Sequence, residues 1–309
     1  MLKVTCLSAQ EAIWITTNQS AEGMPLFRKA FEVEKKPETA KLYATALGVY
    51  DVSVNGKRVG NHELKPGWTD YRKEVAFQVF DIAPLLRKGK NEIHVQLSRG
   101  WWAGEISRNV YGTHPQLSLW ARIEVDGSCV VKTDSTWKYS LNGPLIAGDI
   151  YDGEIYDARR VPADWESAVE DKSVQVSLVP FEGPEVRVRD ERLWQEPQSI
   201  VIYHDIVDTG TKYGKIKADR IVRNKSFKLC QGETAVVDFG QNMVGWVLFK
   251  AKARSGTVVT LRHGEMLNEN GDHDGRLEDG PGGSVWTYNL RQADAKVSYT
   301  FRGDAKGET

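Results

Sequence analysis

Polar and apolar residues alternate with a period of two along much of this chain, and helical spacing is nearly missing. In NEIHVQLS (91–98), Ile93, Val95 and Leu97 share one phase and Glu92, His94 and Gln96 the other. In QLSLWARIEVDG (116–127), Leu117, Leu119, Ala121, Ile123 and Val125 keep one phase until Asp126-Gly127 closes the run. VAFQVFDI (75–82) sets Val75, Phe77 and Val79 in alternation. Successive side chains of a strand point to opposite faces, so this writing predicts strands with one buried and one wet face. LYATALGVYDVSVNGKRV (42–59) contains Asn55-Gly56, the strongest short signal for a two-residue hairpin turn. APLLRKGK (83–90) has Pro84 early and Gly89 as a stop, which predicts about one helical turn between two strands. Strands at roughly ten-residue spacing with turn signals between them indicate a sandwich or jelly roll.

The pattern loosens between 160 and 200, where Pro162, Pro180, Pro184 and Pro197 flank the charged run VRVRDER. It resumes in ETAVVDFGQ (233–241), VGWVLFKAKA (244–253), GTVVTLRHGEML (256–267) and VSYTFRG (297–303), with a polar, Gly-rich loop over 268–283. A chain of 309 residues exceeds the size at which one core usually divides. The sequence therefore predicts an all-β protein of two sandwich domains. A jelly-roll domain spans 9–170, a junction 171–200, and a second sandwich 201–309. The closing GDAKGET supplies no finishing element, so the second domain is expected to be incomplete.

Net charge narrows the partners. At −1 the chain has no basic field to recruit nucleic acid or an anionic membrane, and no apolar run approaches a membrane span. The start shows no signal peptide, so the cytoplasm is the default expectation, with secretion or a periplasmic site the alternative if the start is trimmed. Cys6, Cys129 and Cys230 are odd in number and widely spaced, which fits isolated thiols better than a disulfide framework. The six histidines show no metal-ligand spacing, and neither a GxSxG elbow nor a phosphate-binding glycine loop occurs.

Two aromatic stretches carry more chemistry. GWTDY (67–71) and SRGWWAGEISRNVYGTHP (98–115) set Trp and Tyr beside Gly, Asn, His and Arg. Sugars offer apolar C–H faces that stack on rings and hydroxyls that need directional partners. Trp68, Asp70, Trp101, Trp102 and Asn109 are the sugar-contact candidates; the plainer reading is that the tryptophans plug the ends of a sandwich. GDIYDGEIYDAR (148–159) gathers Asp149, Asp152, Glu154 and Asp157. Paired carboxylates serve glycoside hydrolysis and clustered ones bind calcium, but sequence proximity does not supply the required opposition across a substrate. Local pairing of Asp157 with Arg159 or Arg160 at a solvated edge is the simpler expectation.

Taken together, LGVYDVSVNGKRVGNHELKPGWTDYRKEV, FDIAPLLRKGKNEIHVQLSRGWWAG, DSTWKY, GDIYDGEIYDAR and DFGQNMVGWV…GTVVTLRHGEML resemble the front region of bacterial α-L-rhamnosidases, glycoside hydrolase family 78. The resemblance runs from about Trp14 to the end and is weakest between Trp165 and Val201. It implies β-sandwiches that precede an (α/α)6 barrel, where inverting hydrolysis of terminal L-rhamnose takes place. No catalytic residue is expected in this chain, which alone should be inactive, and GDIYDGEIYDAR becomes a strand and turn of the first sandwich. The implied partners are a rhamnose-containing glycan or glycoside and the barrel of the same polypeptide. Some relatives of the first module bind rhamnose with calcium. Asn61, Asn109 and the backbone near Pro115 would be the oxygen donors here, but Asn61 replaces a common acid, which lowers the expected calcium affinity. A free-standing carbohydrate-binding module and a purely structural scaffold are the alternatives.

Overall fold

The structure is a computed structural model that describes residues 12–18, 23–188, 193–204, 220–223, 226–268, 285–291 and 293–309. The chain forms two compact units: Met1–Arg189 with Tyr299–Arg302, and Asp190–Ser298 with Gly303–Thr309. Most of the expected loop over 268–283, and Cys6, lie outside the described residues.

The first unit is a sandwich. Strands β1 (Ile15–Thr16), β2 (Leu26–Val33), β3 (Ala40–Leu47), β4 (Val49–Val54), β5 (Lys57–Arg58), β6 (Glu74–Asp81), β7 (Gly89–Ser98) and β8 (Ser118–Val125) supply its body. β9 (Ser128–Lys132), β10 (Lys138–Ser140), β11 (Leu145–Asp149), β12 (Gly153–Asp157), β13 (Glu166–Ser167), β14 (Val169–Glu170) and β15 (Ser177–Pro180) follow. One sheet runs β14-β1-β8-β3-β6-β15 with β9 on β8, and its partner sheet runs β13-β10-β2-β7-β4-β5. Their pairings are antiparallel, except that β15 runs parallel along β6. The single turn after β6 is a 3-10 helix at Ala83–Leu85. Asn55 (φ 52°) and Gly56 (φ 75°) make the left-handed turn that joins β4 to β5.

The alternation of β7 is realised fully: Ile93, Val95 and Leu97 are completely buried and face the core. With Phe27, Leu42, Val54, Leu119, Ile123 and Trp137 they form one apolar cluster drawn from both sheets. β6 departs from its expected phase. Val79 is 46% exposed, whereas Ala76, Gln78 and Phe80 are buried. β6 is an inner strand, between β3 and β15, and on its other face Val75 and Phe77 are buried as well. Gln78 therefore lies inside, where Tyr50 Oη donates to its Oε1 (2.7 Å) and its Nε2 donates to Pro66 O (2.9 Å). A buried amide satisfied at both ends is tolerated where an unpaired one is not.

Within the 148–159 stretch, Asp157 serves this frame. Asp157, at the end of β12, is buried and accepts from Arg159 Nη2 at 2.7 Å, as local pairing predicted. The Arg159 guanidinium holds the Asp157 carboxyl down, from 3.8 to about 2. A carboxyl depressed in the folded state contributes stability above its unfolded value and loses it as pH falls through about 2. Acid unfolding of Asp157→Asn should therefore show a weaker loss of stability between about pH 4 and pH 2 than the native chain. Because Arg159 is half exposed, added salt should narrow that difference. An identical acid limb in both proteins would remove this role.

The second unit contains β16 (Ser199–His204), β17 (Arg220–Val222), β18 (Glu233–Asp238), β19 (Val258–Arg262), β20 (Met266–Leu267) and β21 (Val285–Trp286); β22 (Lys296–Thr300), last in the order, begins in this unit and ends in the first. β16 is flanked by β17 and β18 in one sheet, and β20 pairs with β21. The strand expected over 244–253 does not form: among the described residues this stretch has only an isolated bridge, Ala251 to Glu308. Val244 (105%), Trp246 (66%) and Leu248 (57%) stand in solvent instead. Alternation supplies side chains for a sheet, but a strand also needs a ladder partner, and among the described residues this stretch has none.

Candidate functional site

The aromatic stretches of the first unit meet at one end of the sandwich. The loop after β5 is fixed first. Lys65, with 2% of its side chain exposed, donates to Asp51 Oδ1 (2.9 Å) and to His62 O (2.9 Å), and its ammonium sits over the rings of Tyr50 and Phe80. Beyond a cis Lys65-Pro66 peptide the chain reaches Trp68, which is 51% exposed.

The second loop follows β7 as α1 (Gly100–Ala103), a 3-10 turn at Glu105–Ser107 and α2 (Arg108–Tyr111). Gly100 (φ 58°) opens it in the left-handed region, and a Cβ there would meet Val49 Cγ2 at 2.4 Å. Trp102 donates from Nε1 to Gln116 O (2.8 Å) and packs on Tyr111 and Tyr71, with centroids 5.2 and 5.9 Å away. These rings cover a second small cluster of Leu47, Tyr71 and Val75. Trp101 also packs against this cluster, and it stacks on Trp68, centroids 6.3 Å apart and planes 24° from parallel.

The candidates therefore separate by role. Trp68 and Trp101 share an aromatic face at the surface. Trp102 is mainly a packing residue. Asp70 is engaged by its own turn, accepting from Arg72 Nε at 2.9 Å with Lys73 3.7 Å away. The Arg72 guanidinium holds the Asp70 carboxyl below the usual range, so it is an ionised acceptor already occupied. Asn109 is exposed on α2. Near it, Glu105 accepts from Arg108 Nη1 (2.9 Å) and faces His114 Nε2 (3.1 Å). Tyr71 and Tyr111, which carry the packing of this end, were not singled out by sequence. Their signal was their place beside Trp68 and the Trp101-Trp102 pair, in the same two loops.

Asn61 is exposed, and Pro115 is half-buried. With Asn109 they offer only neutral oxygens, and among the described residues no three acidic, histidine or cysteine side chains gather as a metal set. Calcium prefers six to eight oxygens that include carboxylates, so the donor chemistry fits this ion poorly. Cys129 and Cys230 are exposed, and the Cys129 thiol donates to Val131 O at 3.5 Å. No described helix is long and apolar enough to cross a membrane.

Comparison with known proteins agrees along the chain. Residues 35–198 match the family model of the alpha-L-rhamnosidase N-terminal domain, and residues 228–309 that of the bacterial alpha-L-rhamnosidase concanavalin-like domain. An alpha-L-rhamnosidase of Streptomyces avermitilis is 34% identical over 277 residues, covering 88% of this chain and 24% of that protein. One from Formosa agariphila is 28% identical over 278 residues, covering 88% of this chain and 27% of its own. Among solved structures, Streptomyces avermitilis alpha-L-rhamnosidase complexed with L-rhamnose superposes with a TM-score of 0.70 at 30% identity, over 93% of this chain and 25% of that one. The native enzyme from Aspergillus terreus gives 0.71 at 29% identity, over 96% and 32%. The chain thus spans about a quarter of the length of the curated relatives it matches.

Proposed function

This chain belongs to the bacterial α-L-rhamnosidase family, within which it corresponds to the N-terminal and concanavalin-like domains, and we propose that it is a non-catalytic accessory region that holds rhamnose-bearing glycan. In this reading the parent protein hydrolyses terminal α-L-rhamnosides with a catalytic domain in the same polypeptide. The first unit would present the sugar, and the second would pack against the rest of the protein. The exposed side chains of Val244, Trp246 and Leu248 support that packing role.

The observation that carries the binding role is the half-exposed Trp68 held flat against Trp101. A rigid aromatic face offers C–H stacking at low entropic cost, and the amides and charged groups of the neighbouring loop suit hydroxyls. Trp68→Ala is expected to weaken L-rhamnose binding about tenfold, close to 1.4 kcal/mol, without changing the unfolding midpoint. Unchanged affinity, measured by calorimetric titration, would argue for the second reading. That reading is a structural plug, and the packing of Trp102, Tyr71 and Tyr111 over Leu47 and Val75 favours it.

A further inference from the structure

Asp149 ends β11, apart in sequence from both aromatic loops, and yet its carboxylate reaches the tryptophan loop. Oδ2 accepts the backbone N–H of Glu105 at 3.0 Å. Oδ1 accepts the N–H of Tyr151 at 2.7 Å and that of Asp152 at 3.4 Å, closing the turn into β12. One side chain thus fastens two segments that no strand pairing joins. Its neighbour Gly148 adds a second tie: its carbonyl accepts from Arg99 N–H (3.2 Å) and from Ser98 Oγ (2.7 Å), at the base of the same loop. The approach is close: a Cβ at Gly148 would lie 2.5 Å from Ser98 Oγ, and one at Gly104 would lie 3.0 Å from Asp149 Oδ2, although Gly104 is required first by the loop's own Gly100 carbonyl, 2.3 Å from that Cβ.

Trp101 and Trp102 sit between these two ties, after Arg99 and before Glu105. Within the loop, Ala103 N–H donates to Arg99 O (3.0 Å), Gly104 N–H donates to Gly100 O (3.1 Å), and Ser107 Oγ donates to Trp101 O. These local bonds give the loop its helical shape; outside it, Trp102 Nε1 donates to Gln116 O (2.8 Å) and the rings pack over Leu47 and Val75, while the backbone on either side of Trp101 is tied by Gly148 and Asp149. We infer that Asp149 is a positioning residue that, with the Gly148 carbonyl, holds the loop so that Trp101 lies against Trp68. The first acid of GDIYDG then orients the aromatic face and takes no part in chemistry. Its sugar-binding consequence rests on the function proposed above; the positioning itself does not.

The test is Asp149→Asn. An asparagine keeps one oxygen for the Tyr151 turn and turns an NH2 donor toward the Glu105 N–H, so the turn survives and the tie is lost. Circular dichroism of the full chain reads the coupled indole signal of the Trp68–Trp101 stack, which Trp101→Phe identifies by abolishing it. D149N is expected to lose at least half of that signal while the far-ultraviolet strand spectrum is kept. Asp157→Asn, which breaks the Asp157–Arg159 ion pair at the end of the same hairpin, away from the loop, is expected to leave the signal intact. Asp149→Ser retains a single oxygen for the turn and should behave as D149N does. L-rhamnose titrated into the native protein and D149N is expected to bind the variant about tenfold more weakly. A full stacking signal in both D149N and D149S overturns the inference, and so does equal loss in D157N. A lost signal with no rhamnose heat from either native protein or variant supports the positioning role while the sugar reading fails.

Discussion

Replacing Trp137 with alanine is expected to lower the stability of the first unit by about 4 kcal/mol, within the range for deleting a buried tryptophan. Trp137 is 0% exposed and belongs to the cluster shared by both sheets. Its indole Nε1 also donates to Lys132 O (2.8 Å), and its carbonyl accepts from Ala168 N–H (2.9 Å). Truncation therefore opens a cavity and removes the hydrogen bond to the Lys132 carbonyl, two costs that combine. Trp137→Phe restores most of the volume without the donor and should fall between the two. Urea unfolding followed by far-ultraviolet circular dichroism measures both, and a loss below about 1.5 kcal/mol for the alanine variant would show that the surroundings collapse into the space.

The second large effect concerns association. The isolated chain should self-associate as its concentration rises, through the stretch around Val244, Trp246 and Leu248 in the second unit. Exposed apolar side chains on an extended segment without a ladder partner are a template for edge pairing and apolar contact. The double substitution V244K/W246K places charge at both positions and is expected to return the chain to a monomer. Light scattering over a concentration series measures the mass. A native chain that stays monomeric at high concentration would mean that this surface is tolerated by water and has no partner to meet.

Sequence pattern reached furthest where one periodic rule governed. The β7 alternation and the Asn55-Gly56 turn appear in the structure as written, because each depends only on neighbours along the chain. β6 misled at Gln78 and Val79, since burial of a strand on two faces is decided by the layers laid over it. The short strands β13, β14 and β15, in a proline-rich stretch, carry too few residues for a period to show. Over 244–253 the period was present, but among the described residues a ladder partner was not. The site divides along the same line. Both aromatic loops were visible, but that Trp68 faces Trp101 while Trp102 turns to Tyr71 is set by tertiary contacts. Asp149 was read for its charge, whereas its use is geometric. The Gly-Asp pair before a turn was the signal available for it.

The central claim is a sugar-holding region without catalytic groups of its own. Its most direct test is calorimetric titration of L-rhamnose into the native chain, with calcium and then with chelator, beside a chromogenic α-L-rhamnoside assay on the same preparation. The account predicts saturable heat and no turnover, with a small effect of chelator because Asn61, Asn109 and Pro115 supply no carboxylate. Turnover by the purified chain would contradict it, and the carboxylates between Asp149 and Asp157 would then be the first candidates for the reaction.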